Sequence, residues 1–281
     1  MNDVDLFGQP LPGRGGADDP FAGKKPWFSP ARLSTFLQCP KKYEFQVVQK
    51  VPTAPSPHFD LGSNVHAALR DWLRLPPKER TWDNLLEFYR AAWRKNMPAF
   101  ATRTRDELRE WGERGKLMLR RFADEVPPDL EPVALEKSVR VDFGEFVVGG
   151  RVDRVDALPD GTLKVVDYKT GKFPKNEART REEDLASPVY ARGASGAFVD
   201  LPVTVVEYLY LDTMERLVVD VDPVWQAHKD AVVTGLAQGV LAAEAGGGFP
   251  AQPSMLCGWC DYRTRCAEGR AFLEAGRNPR A

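Results

Sequence analysis

Apolar positions fall into helical spacing as soon as a glycine- and proline-rich start ends. Ser29-Pro30 offers a capping hydroxyl and a first-turn proline, and Leu33, Phe36 and Leu37 follow along one stripe. The same period returns from about Gly62 to Leu75 (Val65, Leu69, Trp72, Leu73), from Trp82 to Trp93 and from Thr104 to Glu125. The pattern then changes. Val139–Phe143, Glu145–Ala157, Thr162–Thr170, Val203–Leu211 and Arg216–Val221 alternate or run β-branched between turn residues, which predicts strands. A helix from about Pro223 to Ala245 stops at Gly246-Gly247-Gly248, and Phe249–Cys266 is turn-rich. Helices flanking a mid-chain set of strands predict an α/β domain with a helical insertion at about 60–130, a core at about 131–245 and a cysteine-rich segment at about 249–266.

Residues 1–26 are dense in glycine and proline and poor in large apolar side chains, so they are read as a disordered tail ahead of a single domain over 27–281. Within it, Asp3-Val4-Asp5-Leu6-Phe7 is similar to the short peptides that dock on a replication sliding clamp, although the glutamine expected at the start is missing. The plain-tail reading stands beside that weak contact.

Charge narrows the function classes. The chain of 281 residues carries 39 basic and 40 acidic side chains, a net of −1, so any nucleic-acid contact must come from a local patch. No apolar run approaches the roughly 18–20 residues of a membrane span, and the acidic start lacks the features of a signal peptide. A cytoplasmic, reducing location is expected, with no membrane partner. There the four cysteines favour metal ligation over disulfides.

The sharpest chemistry lies in Gly149-Gly150-Arg151-Val152-Asp153-Arg154-Val155-Asp156, Pro159-Asp160-Gly161 and Leu163-Lys164-Val165-Val166-Asp167-Tyr168-Lys169. Pro-Asp-Gly suits a three-residue hairpin loop with glycine in the left-handed position. If Leu158 pairs with Thr162, Asp153 falls opposite Asp167, with Cβ atoms about 4.5–5.5 Å apart. Lys169 shares their face and Tyr168 points away. Two opposed carboxylates call for a hard divalent cation, and a neighbouring lysine can orient water or stabilise charge on a phosphate. The bland alternative is a solvated hairpin with one Asp–Lys pair. His66, on an amphipathic helix, is a candidate further ligand or a structural histidine. Glu136 could add a carboxylate or be an ordinary surface glutamate; His58 and His228 have no assigned role.

These residues, in this order, resemble the RecB-type branch of the PD-(D/E)XK nuclease superfamily, especially members with a four-cysteine iron–sulfur cluster. The similarity runs from the serine–cysteine block Phe28-Ser29-Pro30-Ala31-Arg32-Leu33-Ser34-Thr35-Phe36-Leu37-Gln38-Cys39-Pro40 through His66, Asp153 and Asp167-Tyr168-Lys169 to Cys257, Cys260 and Cys266. The resemblance implies a restriction-endonuclease-like core, a mixed sheet flanked by helices, with a metal-clipped C-terminal segment. It implies that His66, Asp153, Asp167 and the Tyr168 carbonyl bind catalytic Mg²⁺ or Mn²⁺, and that Lys169 acts on water and the scissile phosphate. Two departures are visible: Val152 stands at the proline position, and Ala186 replaces the glutamine of a Gln-x-x-x-Tyr element, though Tyr190 remains.

One cysteine at Cys39 and three within Cys257–Cys266 match the [4Fe–4S] arrangement of that branch; structural zinc more often takes two close pairs and is the alternative. Ser29, Arg32, Ser34, Lys41, Arg151 and Arg154, with Lys42, are candidate DNA contacts, and Arg105, Arg109, Lys116 and Arg120 form a basic stripe that is equally a solvated helix face. Lys172–Glu183 reads as a charged, mobile loop over the substrate. There is no phosphate-binding loop of an ATP motor, so DNA must arrive single-stranded, frayed or opened by a partner such as a helicase or another repair or CRISPR protein. The expectation is a metal-dependent single-strand DNA exonuclease of repair, recombination or defence. An endonuclease with the same residues is the nearest alternative, and an inactive DNA-binding or docking module the more distant one.

Overall fold

The computed structural model describes residues 25–53, 57–96, 104–198 and 201–277. The Asp3–Phe7 peptide and all but the last two residues of the predicted tail lie outside the described residues. Lys25 is already anchored, its Nζ 2.6 Å from Asp142.

A short strand β1 (Trp27–Phe28) leads into α1 (Pro30–Gln38), capped as its sequence requires: Ser29 Oγ accepts from the Arg32 amide at 3.3 Å. After α2 (Pro40–Tyr43) come three long helices, α3 (Pro57–Leu73), α4 (Trp82–Asn96) and α5 (Arg105–Glu125). Thr104 and Glu107 close a capping box at the start of α5. Strands β2 (Ala134–Asp142), β3 (Val147–Ala157) and β4 (Leu163–Lys169) follow, then α6 (Glu177–Glu183) and α7 (Ala186–Ala197). The order closes with β5 (Val203–Tyr210), β6 (Glu215–Asp220), α8 (Pro223–Ala242) and α9 (Ala267–Arg277).

The strands form one mixed sheet in the order β2-β3-β4-β5-β6, with β1 beside the start of β3. β4 and β5 run parallel, and α6 and α7 supply the crossover that a parallel pair needs. Period-two alternation sorts β4 between two layers. Leu163 and Val165 face a core that contains Ala191 and Ala194 of α7; Val166 and Tyr168 face the core of α3, α4 and α5. A third core joins α1 and α8 to Val148 and Val189.

Three departures from the sequence pattern bear on the site. β2 starts at Ala134 rather than Val139, because its polar first half pairs with Arg151–Val155. The expected mobile loop over Lys172–Glu183 is instead largely α6. Arg181 Nε donates to Val218 O at 2.9 Å, and buried Lys229 reaches the carbonyls of Arg181, Glu182 and Asp184 at 2.9, 2.5 and 3.1 Å. Finally, α7 is built from small residues and shows no large apolar stripe. The reason is closeness: a Cβ on Gly193 would sit 2.8 Å from Val139 Cβ, so the helix can lie against β2 only without side-chain bulk.

Candidate active site

The β3–β4 turn sets everything downstream. Gly161 takes φ +83°, Asp160 Oδ1 accepts from the Thr162 amide and hydroxyl at 3.0 and 2.7 Å, and Leu158 N donates to Thr162 O at 2.8 Å. The predicted register follows: Ala157 pairs with Leu163, Asp156 with Lys164, Val155 with Val165 and Arg154 with Val166. The ladder then stops one pair short of the aspartates. Asp153 and Asp167 do not oppose each other as a regular pair; the Asp153 carboxylate takes over the ladder's role, its Oδ2 accepting from Tyr168 N at 2.7 Å.

The other edge of β3 breaks at the same residue. β2 pairs Leu135 with Arg154 and Lys137 with Val152, so Glu136 falls level with Asp153 without a ladder partner of its own. Its backbone adopts φ +52°, a left-handed conformation that costs a non-glycine residue about 1–2 kcal/mol. Strain of this kind collects at functional sites. From α3, His66 brings Nδ1 to 3.0 Å from Asp153 Oδ1, and ligand atoms of His66, Glu136 and Asp153 all lie within 4.8 Å of one another. Arg151 Nε lies 2.7 Å from Glu136 Oε2 and offsets its charge.

Asp167 and Lys169 stand beside this triangle as an ion pair, on the face turned towards α7. Asp167 and Asp153 are buried, and the Lys169 side chain is 40% exposed. Burial disfavours charge on every member of the site, and local partners decide each outcome. Burial raises Asp153 but the His66 ring and the Tyr168 amide outweigh it, holding the carboxyl below the ordinary range. For Asp167 burial prevails, with the Asp153 charge adding to it, and its pKa is raised. Burial and then Asp153 likewise raise Glu136. Burial would lower His66 and Lys169, yet Asp153 and Asp167 respectively carry both upward. Carboxylate oxygens gathered with one imidazole are the donor chemistry of a divalent cation site.

The remaining predicted residues divide. Tyr168 contributes its amide to Asp153, while its ring turns to the α3 side of the sheet, edge-on to His66 with centroids 5.7 Å apart. Tyr190 sits on α7 against Gly150, where a Cβ would come within 3.0 Å of its ring, and Ala186 opens the same helix. Arg154 is not a DNA contact. It is buried, with Nε 2.9 Å from Asp156 Oδ1 and Nη1 3.0 Å from Tyr168 Oη. Its neighbour Asp153 faces the site, so alternation turns Arg154 under the sheet. Ser29 is a helix cap, Arg32 stacks over Trp27 at 5.6 Å, and Ser34 is exposed on α1. Lys41 pairs with Glu44 at 2.6 Å and Lys42 bonds Gln38 at 2.7 Å. On α5, Lys116 and Arg120 pair with Glu113 and Asp124 at 3.3 and 3.0 Å, which offsets part of the basic stripe.

Sequence reasoning passed over Tyr208, Asp184 and Lys229. Tyr208 lies level with Asp167 across β4–β5, and its hydroxyl donates to Asp184 Oδ2 at 2.7 Å. The available signal was Asp184 just ahead of Ala186-Ser187-Pro188, a helix-capping pattern.

The four cysteines gather where α1 ends and α9 begins, around one hollow also lined by Lys41, Lys42, Arg263, Phe45 and Trp259. All four are free thiols. Amides of Gln252, Ser254 and Gly269 each donate to a cysteine sulfur, Cys39, Cys257 and Cys266 respectively, at 3.4 Å.

The model of the PD-(D/E)XK nuclease superfamily matches residues 27–267. The chain belongs to that superfamily. Its mixed sheet with flanking helices is the PD-(D/E)XK fold, and superfamily members use divalent metals, which the His66, Glu136 and Asp153 donor set suits. Among solved structures, a candidate exonuclease from Eubacterium rectale aligns over 92% of this chain and 94% of its own at 13% identity, with a TM-score of 0.57. A second structure, SSO0001, aligns over 88% of each chain at 12% identity with a TM-score of 0.39, too distant to add to the argument. No curated protein sequence matches the chain. No helix among the described residues is long and apolar enough to cross a membrane.

Proposed function

We propose that this nuclease belongs to the RecB-type branch and is a Mg²⁺- or Mn²⁺-dependent exonuclease that degrades single-stranded or frayed DNA. The observation that carries the reading is the convergence of His66, Glu136 and Asp153 at a double break in the sheet, beside the Asp167–Lys169 pair. His66, Glu136, Asp153 and Asp167 would hold the cation. When bound, it supplies Lewis-acid polarisation of the phosphodiester and offsets the charge on the carboxylates. Arg151 limits the negative charge of Glu136, and the Tyr168 amide fixes the orientation of Asp153. Lys169, charged and half open to solvent, would orient the attacking water or stabilise charge growing on the phosphate. Such DNA would come from a partner that unwinds it, such as a helicase or another repair or CRISPR protein.

The cysteine hollow is read as the seat of a [4Fe–4S] cluster. Three N–H···S bonds suit thiolates, and three basic side chains in the lining suit a negatively charged group. A structural zinc ion on the same four thiolates is the alternative. The cluster would tie α1 to the C-terminal segment across more than two hundred residues of chain.

The test is cleavage of end-labelled linear and circular DNA, single-stranded and duplex, with Mg²⁺, Mn²⁺ or EDTA, comparing wild type with Asp167→Ala and Lys169→Ala. Metal-dependent loss of linear single strands that spares circles and disappears in both variants is expected. Cut circles would establish an endonuclease instead. Binding without cleavage by cluster-loaded wild type would overturn the reading in favour of a docking module.

A further inference from the structure

The ammonium of Lys169 does more than pair with Asp167. It lies 5.0 Å from the centroid of the Tyr208 ring, inside the range of a cation–π contact. That ring is itself immobilised. Tyr208 is buried on β5, level with Asp167, and its hydroxyl donates to Asp184 Oδ2 at 2.7 Å. Asp184 is the N-terminal anchor of α7: its carboxylate accepts from the amides of Ala186 at 2.8 Å and Ser187 at 3.3 Å, and from the Ser187 hydroxyl. The main chain at this point is fastened to α8, because Lys229 Nζ donates to the carbonyl oxygens of Glu182 and Asp184 at 2.5 and 3.1 Å. A rigid path of direct contacts therefore runs from the junction of α6 and α7, through Asp184 and Tyr208, to the underside of Lys169.

We propose that Tyr208, held by Asp184, is the positioning residue for Lys169. The inference rests on the nuclease reading above. A flexible four-carbon stem with a 40% exposed side chain needs a second fixed surface if its ammonium is to meet a phosphate in one geometry. Asp167 supplies charge from one side, and the face of Tyr208 supplies that surface from another. Ala186, at the first turn of α7, has no side-chain donor or acceptor that could share the task. Tyr208 touches neither substrate nor cation in this scheme, so its effect is on rate at fixed binding.

Single-turnover cleavage of linear single-stranded DNA with Mn²⁺, on full-length cluster-loaded protein, separates the contributions. Tyr208→Met, which removes the ring face, should slow the chemical step about ten-fold or more while leaving half-saturating DNA and Mn²⁺ unchanged. Tyr208→Phe, which keeps the ring and loses only its tether, should restore the rate to within about three-fold of wild type. Wild-type rates in both variants would overturn the proposal and leave the nuclease reading intact. An inactive wild type would remove the nuclease reading, and this proposal with it. Should Tyr208→Met fail to fold, the ¹³Cε resonance of Lys169 in labelled wild type decides, assigned by its loss in Lys169→Ala. Ring-current-shifted ε-methylene protons are expected, and unshifted protons would overturn the contact.

Discussion

Replacing Arg154 with methionine keeps most of the stem's volume and deletes the guanidinium from a place where the side chain is 5% exposed. The group left behind is Asp156, its side chain 8% exposed, which loses Nε contacts at 2.9 and 3.1 Å. Tyr168 loses the donor to its hydroxyl and the cation 5.6 Å over its ring. Breaking one side of a buried pair costs about 3–5 kcal/mol. Lys164, with Nζ 3.8 Å from Asp156, remains as a partial partner, so the lower end, about 3 kcal/mol, is expected. In a chain of this size that lowers the melting temperature by about 6–12 °C. Urea unfolding in EDTA measures it, and the double variant Arg154→Met/Asp156→Leu should recover a good part of the loss because no orphaned charge remains. DNA affinity, read by fluorescence anisotropy at two salt concentrations, is expected to hold in the folded variant. Unchanged stability with weaker DNA binding, and a salt slope reduced by about one, would place the guanidinium on a phosphate and refute the argument.

At Gly115 on α5, a Cβ would lie 2.0 Å from Tyr89 Oη and 2.7 Å from Leu61 Cδ1, so Gly115→Ala should cost about 1–3 kcal/mol in urea unfolding, with part regained in Gly115→Ala/Tyr89→Phe. The metal-free protein should lose stability as pH rises. His66 is raised in the folded state, burial opposing and the Asp153 charge prevailing, so its contribution is complete below about pH 6.5 and fades through the raised value. Glu136 and Asp167, raised chiefly by burial, act in the same direction from about pH 4 upward. Melting curves in EDTA that climb between pH 6 and 8 would contradict this, and saturating Mn²⁺ should flatten the profile by displacing the His66 proton. Cys260→Ser should remove iron and visible absorbance from anaerobically purified protein and lower its melting temperature. Wild type that is folded, colourless and iron-free would sink the cluster assignment.

What could be read from the chain alone follows from how local each determinant is. Asp153, Asp167 and Lys169 were legible because the Pro159-Asp160-Gly161 turn and a period of two fix their register over a few residues. Even there the sequence pattern predicts a continuous ladder, whereas the structure opens it by one pair so that a carboxylate can take a backbone amide. Glu136 was only half legible. Its residue type was suggestive, but its place depends on a left-handed backbone that no glycine announces, in a strand whose partner is fixed only by tertiary pairing. Arg154 was misread although the needed rule was at hand, since alternation that turns Asp153 to the site must turn its neighbour beneath the sheet. α7 left almost no trace because close approach to β2 selects small residues, the reverse of the large apolar stripe by which helices are usually found. The support under Lys169 was out of reach for a different reason: Asp184, Tyr208 and Lys229 meet only after the crossover brings β5 beside β4. The same logic locates the chemistry. Buried carboxylates gather where β3 loses its ladder on both edges at one residue, and a sheet that gives up backbone pairs there must regain the energy elsewhere. In this chain the carboxylate-to-amide bond at Asp153 returns part of it, and a cation held by His66, Glu136 and Asp153 would supply more.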